Sequence, residues 1–148
     1  MSDKYIIGID PDSKAHGVAY YTNGKLEALA PLSLIELMTE LEHSYEDEYE
    51  SVTVHMEDVC ANSAVFRGGH SVRVQQSLAR RLGMCQQSQV ELERLFAYYG
   101  IKVVKHKISK KWKDAKSGKA EFERLTGWTG RSNEDTRSAA WFGFLGCK

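Results

Sequence analysis

Proline is nearly absent from this sequence, two in 148 residues, and cysteine is scarce, three with no CxxC spacing. With so little proline and no low-complexity tract, a disordered linker is not expected. Cys60, Cys85 and Cys147 are odd in number and far apart, which suggests neither a disulfide framework nor a zinc site. No apolar run approaches the length of a membrane span. The N-terminus runs into an apolar strand within a few residues and leaves no room for a signal peptide, so a cytoplasmic protein is expected. Net charge is lacking too, with twenty basic and twenty acidic residues. What remains is ordinary: 42% apolar and 27% charged residues suit a soluble globular chain. One domain over 1–148 is expected, large enough to bury roughly 68–70% of its unfolded surface.

The zero net charge hides a segregation. Six acids and no Lys or Arg lie between Glu40 and Glu50, whereas seven lysines and one acid, Asp114, lie between Lys105 and Lys119. The lysine block carries Trp112 at its centre, and Arg67, Arg73, Arg80 and Arg81 stand upstream. Such a block can be a plain solvated face. Gathered around a site in the folded chain, it would attract a phosphate backbone.

Lys4–Asp10, His16–Thr22 and Lys25–Pro31 read as three strands, and Asn23-Gly24 is a two-residue hairpin turn between the second and third. Ser33 can cap a helix whose apolar face is Leu34, Leu37, Met38 and Leu41. Val52, Val54 and Met56 alternate with Thr53, His55 and Glu57 in a fourth strand over Ser51–Asp58. A loop from Cys60 to Gly69 precedes the longest helix, Ser71 to Tyr99. Its predicted stripe is Val74, Leu78, Leu82, Cys85, Leu92, Phe96 and Tyr99, and Gly83 suggests a close packing contact. Gly100 is placed to stop that helix, and Ile101–Val104 forms a fifth strand. A short helix over Gly118–Leu125 and a glycine-punctuated turn lead to a last helix, Asn133–Leu145, with Ser132 as its predicted N-cap.

Three acids fall at element ends: Asp10 closing the first strand before Pro11, Glu57 closing the fourth, and Asp135 opening the last helix. Each has a local reading as well. Acids before turns open Asx-turns, and Ser132 with Asp135 has capping-box spacing in a helical turn where an acid suits the dipole. In a sheet ordered 3-2-1-4-5, however, the first and fourth strands are parallel neighbours, and Asp10 and Glu57 sit side by side. Oxygen ligands without His or Cys suit Mg²⁺ or Mn²⁺. Crowded carboxylates repel unless a cation lies among them.

The stretches GIDPDSKAHGVA at 8–19, VTVHMED at 52–58 and NEDTRSAAWFG at 133–143, with the helix RRLGMCQQSQVELERLF and the segment KKWKDAKSGKAEFERL at 110–125, resemble the RuvC-type Holliday-junction resolvases, of phage or bacterial type, in the ribonuclease H-like superfamily. The resemblance covers nearly the whole chain. It implies an α/β ribonuclease H-like fold, a five-stranded mixed sheet flanked by helices. It also implies two-metal, Mg²⁺-dependent hydrolysis of DNA phosphodiesters, with Asp10, Glu57 and Asp135 as the first three catalytic acids and Asp10 bridging the ions. The fourth ligand position falls on Ser138, a departure, with Glu134 as a neighbouring carboxylate. Lys110, Lys111 and Lys113 are candidates to neutralise phosphate. Phe66 and Arg67, in the loop after Glu57, are candidates to stack on unpaired bases at a branch. Symmetric cutting of a junction implies branched DNA as partner and a homodimer, with the long helix in its interface. Alternatives are a silent branch-binding protein with a weakened metal site, which Ser138 favours, and a small RNA-processing nuclease of the same superfamily. Actin-like ATPases share a GID-type opening but use two such domains around a nucleotide, so no nucleotide cofactor is expected.

Overall fold

Strand alternation decides which layer each side chain enters. The computed structural model of the protein describes residues 3–61 and 71–148. Its strands are β1 (Tyr5–Asp10), β2 (His16–Thr22), β3 (Lys25–Leu32), β4 (Val52–Glu57) and β5 (Lys102–His106). Its helices are α1 (Leu34–Tyr45), α2 (Val72–Tyr99), α3 (Ser117–Thr126) and α4 (Glu134–Cys147). The sheet order is β3-β2-β1-β4-β5, the order expected from the sequence. β1 pairs antiparallel with β2 and parallel with β4, and β4 pairs parallel with β5. Asn23 and Gly24 turn the β2–β3 hairpin with φ of 50° and 84°, which matches the right-handed twist of the paired strands.

Ile7 and Ile9 of β1, with Val52, Val54 and Met56 of β4, pack under Leu37 and Leu41 of α1 and Leu92 and Phe96 of α2. Each of these side chains, fully buried, stabilises the fold by about 1.5–3 kcal/mol. The opposite face carries Ile6, Ala19 and Tyr21 beneath Ala139 and Ala140 of α4, Phe122 of α3, and Trp112. On this face α4 lies almost on the sheet. A Cβ on Gly8 would collide with the backbone carbonyl of Ala139 and come within 2.7 Å of the Gly143 amide. The Tyr21 hydroxyl donates to the Ala140 carbonyl at 2.7 Å.

The structure corrects four local readings. The cap of α4 is Asn133, whose side chain accepts from the Thr136 amide while the Thr136 hydroxyl accepts from the Asn133 amide; Ser132 is not the cap. Only part of the α2 stripe is fully buried: Leu92 and Phe96 are core, Leu78, Leu82, Cys85 and Tyr99 are half-buried, and Val74 is exposed. Gly83 faces open space among the described residues, so no packing contact requires it. Trp112 is a core residue, 1% exposed, with its ring against Phe122, Trp141 and Phe144, and is not an aromatic among surface lysines.

Candidate active site

Ile6, Gly8 and Asp10 alternate with Ile7 and Ile9, so Asp10 belongs to the face of β1 that α4 covers. Thr53, His55 and Glu57 are the matching set on β4, where His55 lies against Gly146 of α4. Because Ile9 is the register partner of Met56, Asp10 and Glu57 follow as neighbours on adjacent parallel strands. Both are buried, Asp10 4% and Glu57 5% exposed.

Pro11 ends β1, and the turn beyond it is held by other groups. The Asp12 side chain accepts from the Ser13 amide at 2.5 Å, and the Asp12 amide donates to His16 Nδ1 at 3.1 Å. Asp10 takes no part in this turn, and its Oδ2 is buried without a hydrogen bond. The Asx-turn alternative for Asp10 is thereby removed. Lys113 Nζ approaches Asp10 Oδ2 at 3.3 Å, an ion pair without good hydrogen-bond direction.

Burial raises the Glu57 pKa to about 7, with the negative charge of Asp10 and a hydrogen bond to it adding to the rise; Lys113 and a long 3.4 Å contact from the Ser109 amide pull the other way. Lys113 is itself held above its ordinary value: burial opposes its charge, but Asp10 and Glu57 outweigh it.

Asp135 is brought to this end of the sheet by Gly17, the register partner of Asp10. A Cβ at Gly17 would overlap the Asp135 carbonyl, so only glycine lets the first turn of α4 rest on β2 there. Asp135 is half-buried and caps nothing, since Asn133 and Thr136 do the capping. Its pKa is raised, first by burial and then by the charge of Asp10, with Lys113 opposing.

Ser138, one turn further along α4, is fully buried and its Oγ has no hydrogen-bond partner. Glu134 is exposed and lines, with Glu57, Ser109, Lys110, Lys113 and Asp114, a cleft of about 550 Å³. Lys111 points elsewhere, 5.8 Å above the Trp141 ring. Phe66 and Arg67 lie outside the described residues.

Asp10 and Glu57 thus converge with Lys113, Asp135 adds its charge from the helix above, and Lys110 and Glu134 stand around the cleft mouth. Among the described residues no three His, Cys, Asp or Glu side chains close on one point as a finished metal cage. The donor chemistry of the pair still fits a hard divalent cation. Two buried carboxylates face each other, one oxygen accepts no hydrogen bond, and Glu57 is driven toward its neutral form even with Lys113 nearby.

Two features escaped the sequence reading. Gly17 reads as an ordinary small residue opening a strand, and only the height of α4 gives it meaning. Arg137 is 5% exposed, with Nε donating to the Trp112 carbonyl at 2.9 Å, Nη2 to the Lys113 carbonyl at 2.7 Å and Nη1 to Ser132 Oγ at 3.0 Å. Trp112 has φ of 66°, a left-handed conformation that costs a bulky residue on the order of 1–3 kcal/mol unless its surroundings enforce it. A charged residue among Thr136, Ser138, Ala139 and Ala140 is the one signal the sequence offered.

The sheet order, the flanking helices and the acids at adjacent strand ends define an α/β protein of the ribonuclease H-like fold. Comparison with solved structures agrees. Thermus thermophilus RuvC in complex with a Holliday-junction substrate superposes with a TM-score of 0.59 at 13% identity, covering 95% of this chain and 91% of that one. A second Thermus thermophilus RuvC structure gives 0.50 at 12% identity with the same coverage. At these identities the likeness establishes a RuvC-like fold. No protein-family model matches the chain, and no curated protein sequence matches it.

Proposed function

We propose that the chain, acting as one nuclease domain over 1–148, is a divalent-metal-dependent, structure-selective DNA endonuclease of phage or bacterial type. Holliday junctions or similar branched DNA would be its substrate. The observation that carries this reading is the Asp10–Glu57 pair: two buried carboxylates on neighbouring parallel strands, one oxygen accepting no hydrogen bond and met only by the Lys113 ammonium, beside a cleft lined by Lys110 and Lys113. The RuvC structure with the same fold was solved on a Holliday junction, which directs the choice of substrate.

Asp10, Glu57 and Asp135 would hold Mg²⁺, or Mn²⁺ in its place, with Glu134 as a further carboxylate and Ser138 as at most a neutral oxygen ligand. Bound there, such a cation supplies an activated water and stabilises the leaving 3′ oxygen in an in-line displacement. The chain's own part is electrostatic. Asp10 and Glu57 concentrate negative charge in a buried recess, so a bound cation would lower the cost of ionising both. Lys113 balances that charge in the free protein, and with Lys110 it offers ammonium groups to the phosphodiester backbone. Water attacks phosphorus, the bond to the 3′ oxygen breaks, and no side-chain nucleophile is used. Paired cuts need two sites, and the exposed Val72, Val74 and Met84 on α2 support a homodimer through that helix. A cytoplasmic location follows from this role. Among the described residues no helix is long and apolar enough to cross a membrane.

Ser138 favours one second reading, a branch-binding protein that does not cut: a buried hydroxyl brings no charge to a second metal. Nicking of a labelled four-way junction in Mg²⁺ or Mn²⁺, beside linear duplex and single-stranded RNA, separates the cases. Paired symmetric cuts by the wild type, lost in Asp10→Asn, are expected. Tight junction binding without cleavage in either metal would establish the binder, and cleavage of RNA alone would refute the DNA assignment.

A further inference from the structure

Arg137 is a buried cation with no carboxylate within ion-pair distance among the described residues, and its three hydrogen bonds go to two backbone carbonyls and a serine. For stability alone this is a poor use of an arginine, since a well-packed apolar side chain avoids the desolvation of the charge. What the guanidinium does supply is a rigid planar fork. That fork grips consecutive carbonyls, Trp112 and Lys113, at the point where the backbone passes through the left-handed conformation of Trp112.

The backbone at Trp112 and Lys113, a strap between β5 and α3, is held from other sides as well. The Trp112 ring is locked among Phe122, Trp141 and Phe144, and a Cβ on Gly118 would stand 3.0 Å from the Trp112 carbonyl carbon, so α3 begins in direct contact with it. Lys113 is where this rigidity is felt. The residue whose carbonyl Arg137 holds is the residue whose ammonium lies 3.3 Å from Asp10. A lysine stem alone, with four rotatable bonds, would not keep that position.

We propose that Arg137 is a positioning residue for the active site: by clamping the Trp112 and Lys113 carbonyls, its guanidinium fixes the strap from which Lys113 reaches Asp10. The proposal rests on reading Asp10 and Glu57 as the metal-binding pair. It adds that one helix end sets both Asp135 and Lys113, because Arg137 follows Asp135 by two residues on α4. A shift of that helix moves the acid directly and the lysine through the strap.

The test joins a readout that needs no cleavage to one that does. In EDTA, the ¹⁵N-lysine ammonium resonance of Lys113, identified by its loss in Lys113→Gln, is expected in the wild type and absent in Arg137→Lys, which reaches only one carbonyl. On a four-way junction, Arg137→Lys should keep the wild-type circular dichroism but cut about a hundredfold more slowly at saturating junction, the size of effect a 1 Å misplacement produces. The double variant Arg137→Lys/Lys113→Gln should cut no more slowly than Lys113→Gln alone. A Lys113 resonance that persists unchanged in Arg137→Lys, or additive losses in the double variant, would overturn the proposal. If Arg137→Lys does not fold, Arg137→Gln, which removes the fork without leaving a buried charge, takes its place. A weakened Lys113 resonance then supports the clamp and an unchanged one overturns it. If the wild type itself does not cut, the nuclease reading fails while the ammonium measurement still decides the role of Arg137.

Discussion

Glu57→Gln should make the metal-free protein more stable while abolishing the proposed cleavage. The Glu57 carboxyl rises from 4.5 to about 7 in the folded chain, chiefly because it is buried and then because it faces Asp10. The folded state therefore holds a proton that the unfolded state has released between those two values, and stability falls as pH rises through that window. At about pH 8 both states are ionised, and the full penalty, about 3 kcal/mol at 1.4 kcal/mol per pH unit, is present. Relaxation around the pair reduces this, so a gain of about 1–3 kcal/mol is expected for Glu57→Gln, or roughly 2–4 °C of melting temperature per kcal/mol.

Urea titrations in EDTA across the window measure it. The difference between variant and wild type should be near zero below about pH 4.5, grow through the window, and level off above about pH 7. Comparing the two proteins at each pH cancels the histidine contributions, which slope the other way. Saturating Mg²⁺ should stabilise the wild type and leave the variant unmoved. A variant equally or less stable than wild type at high pH, or a difference flat with pH, would refute the account of the pair as a frustrated anion site.

Gly17→Ala should shift the first turn of α4 away from Asp10, costing about 1–3 kcal/mol by overpacking and slowing junction cleavage about a hundredfold. Unchanged cleavage would show that this close contact does not set Asp135. His55, lowered to about 4 by burial, then by His106 and the nearby Lys4 and Lys102, resists protonation in the fold. Stability should therefore fall as pH drops from 6.5 toward 4, and His55→Gln should remove about 1–2 kcal/mol of that slope after allowing for partial exposure. A slope that survives the substitution would assign it elsewhere. Phe96→Ala, in the core between α2 and the sheet, should cost about 3–5 kcal/mol in urea denaturation, and a loss under 1 kcal/mol would mean that this layer repacks freely.

The Asn23-Gly24 hairpin, the stop at Gly100 and the acids at strand ends were legible because each follows from local chemistry or strict alternation, whereas the sheet order was expected from the family resemblance. The α2 stripe misled for a complementary reason. Val74, Leu78 and Leu82 have helical spacing, but spacing does not say how closely anything lies opposite: Val74 is exposed, Leu78, Leu82 and Cys85 are half-buried, and full burial on α2 is confined to Gln89, Leu92 and Phe96 among the described residues. Ser132 misled because serine and asparagine are both good caps. The choice went to Asn133, which finds Thr136 for its reciprocal bond, and Ser132 became free to meet Arg137.

By itself the sequence determined the element order and the presence of Asp10 and Glu57 at the ends of strands. Period-two alternation and turn residues act within a few positions of chain. Only tertiary structure decided that α4 rides on Gly8 and Gly17, that Trp112 is buried, and that Arg137 holds the strap carrying Lys113 to Asp10. Those facts depend on how closely two surfaces approach, a distance set by the side chains of both and encoded in neither alone.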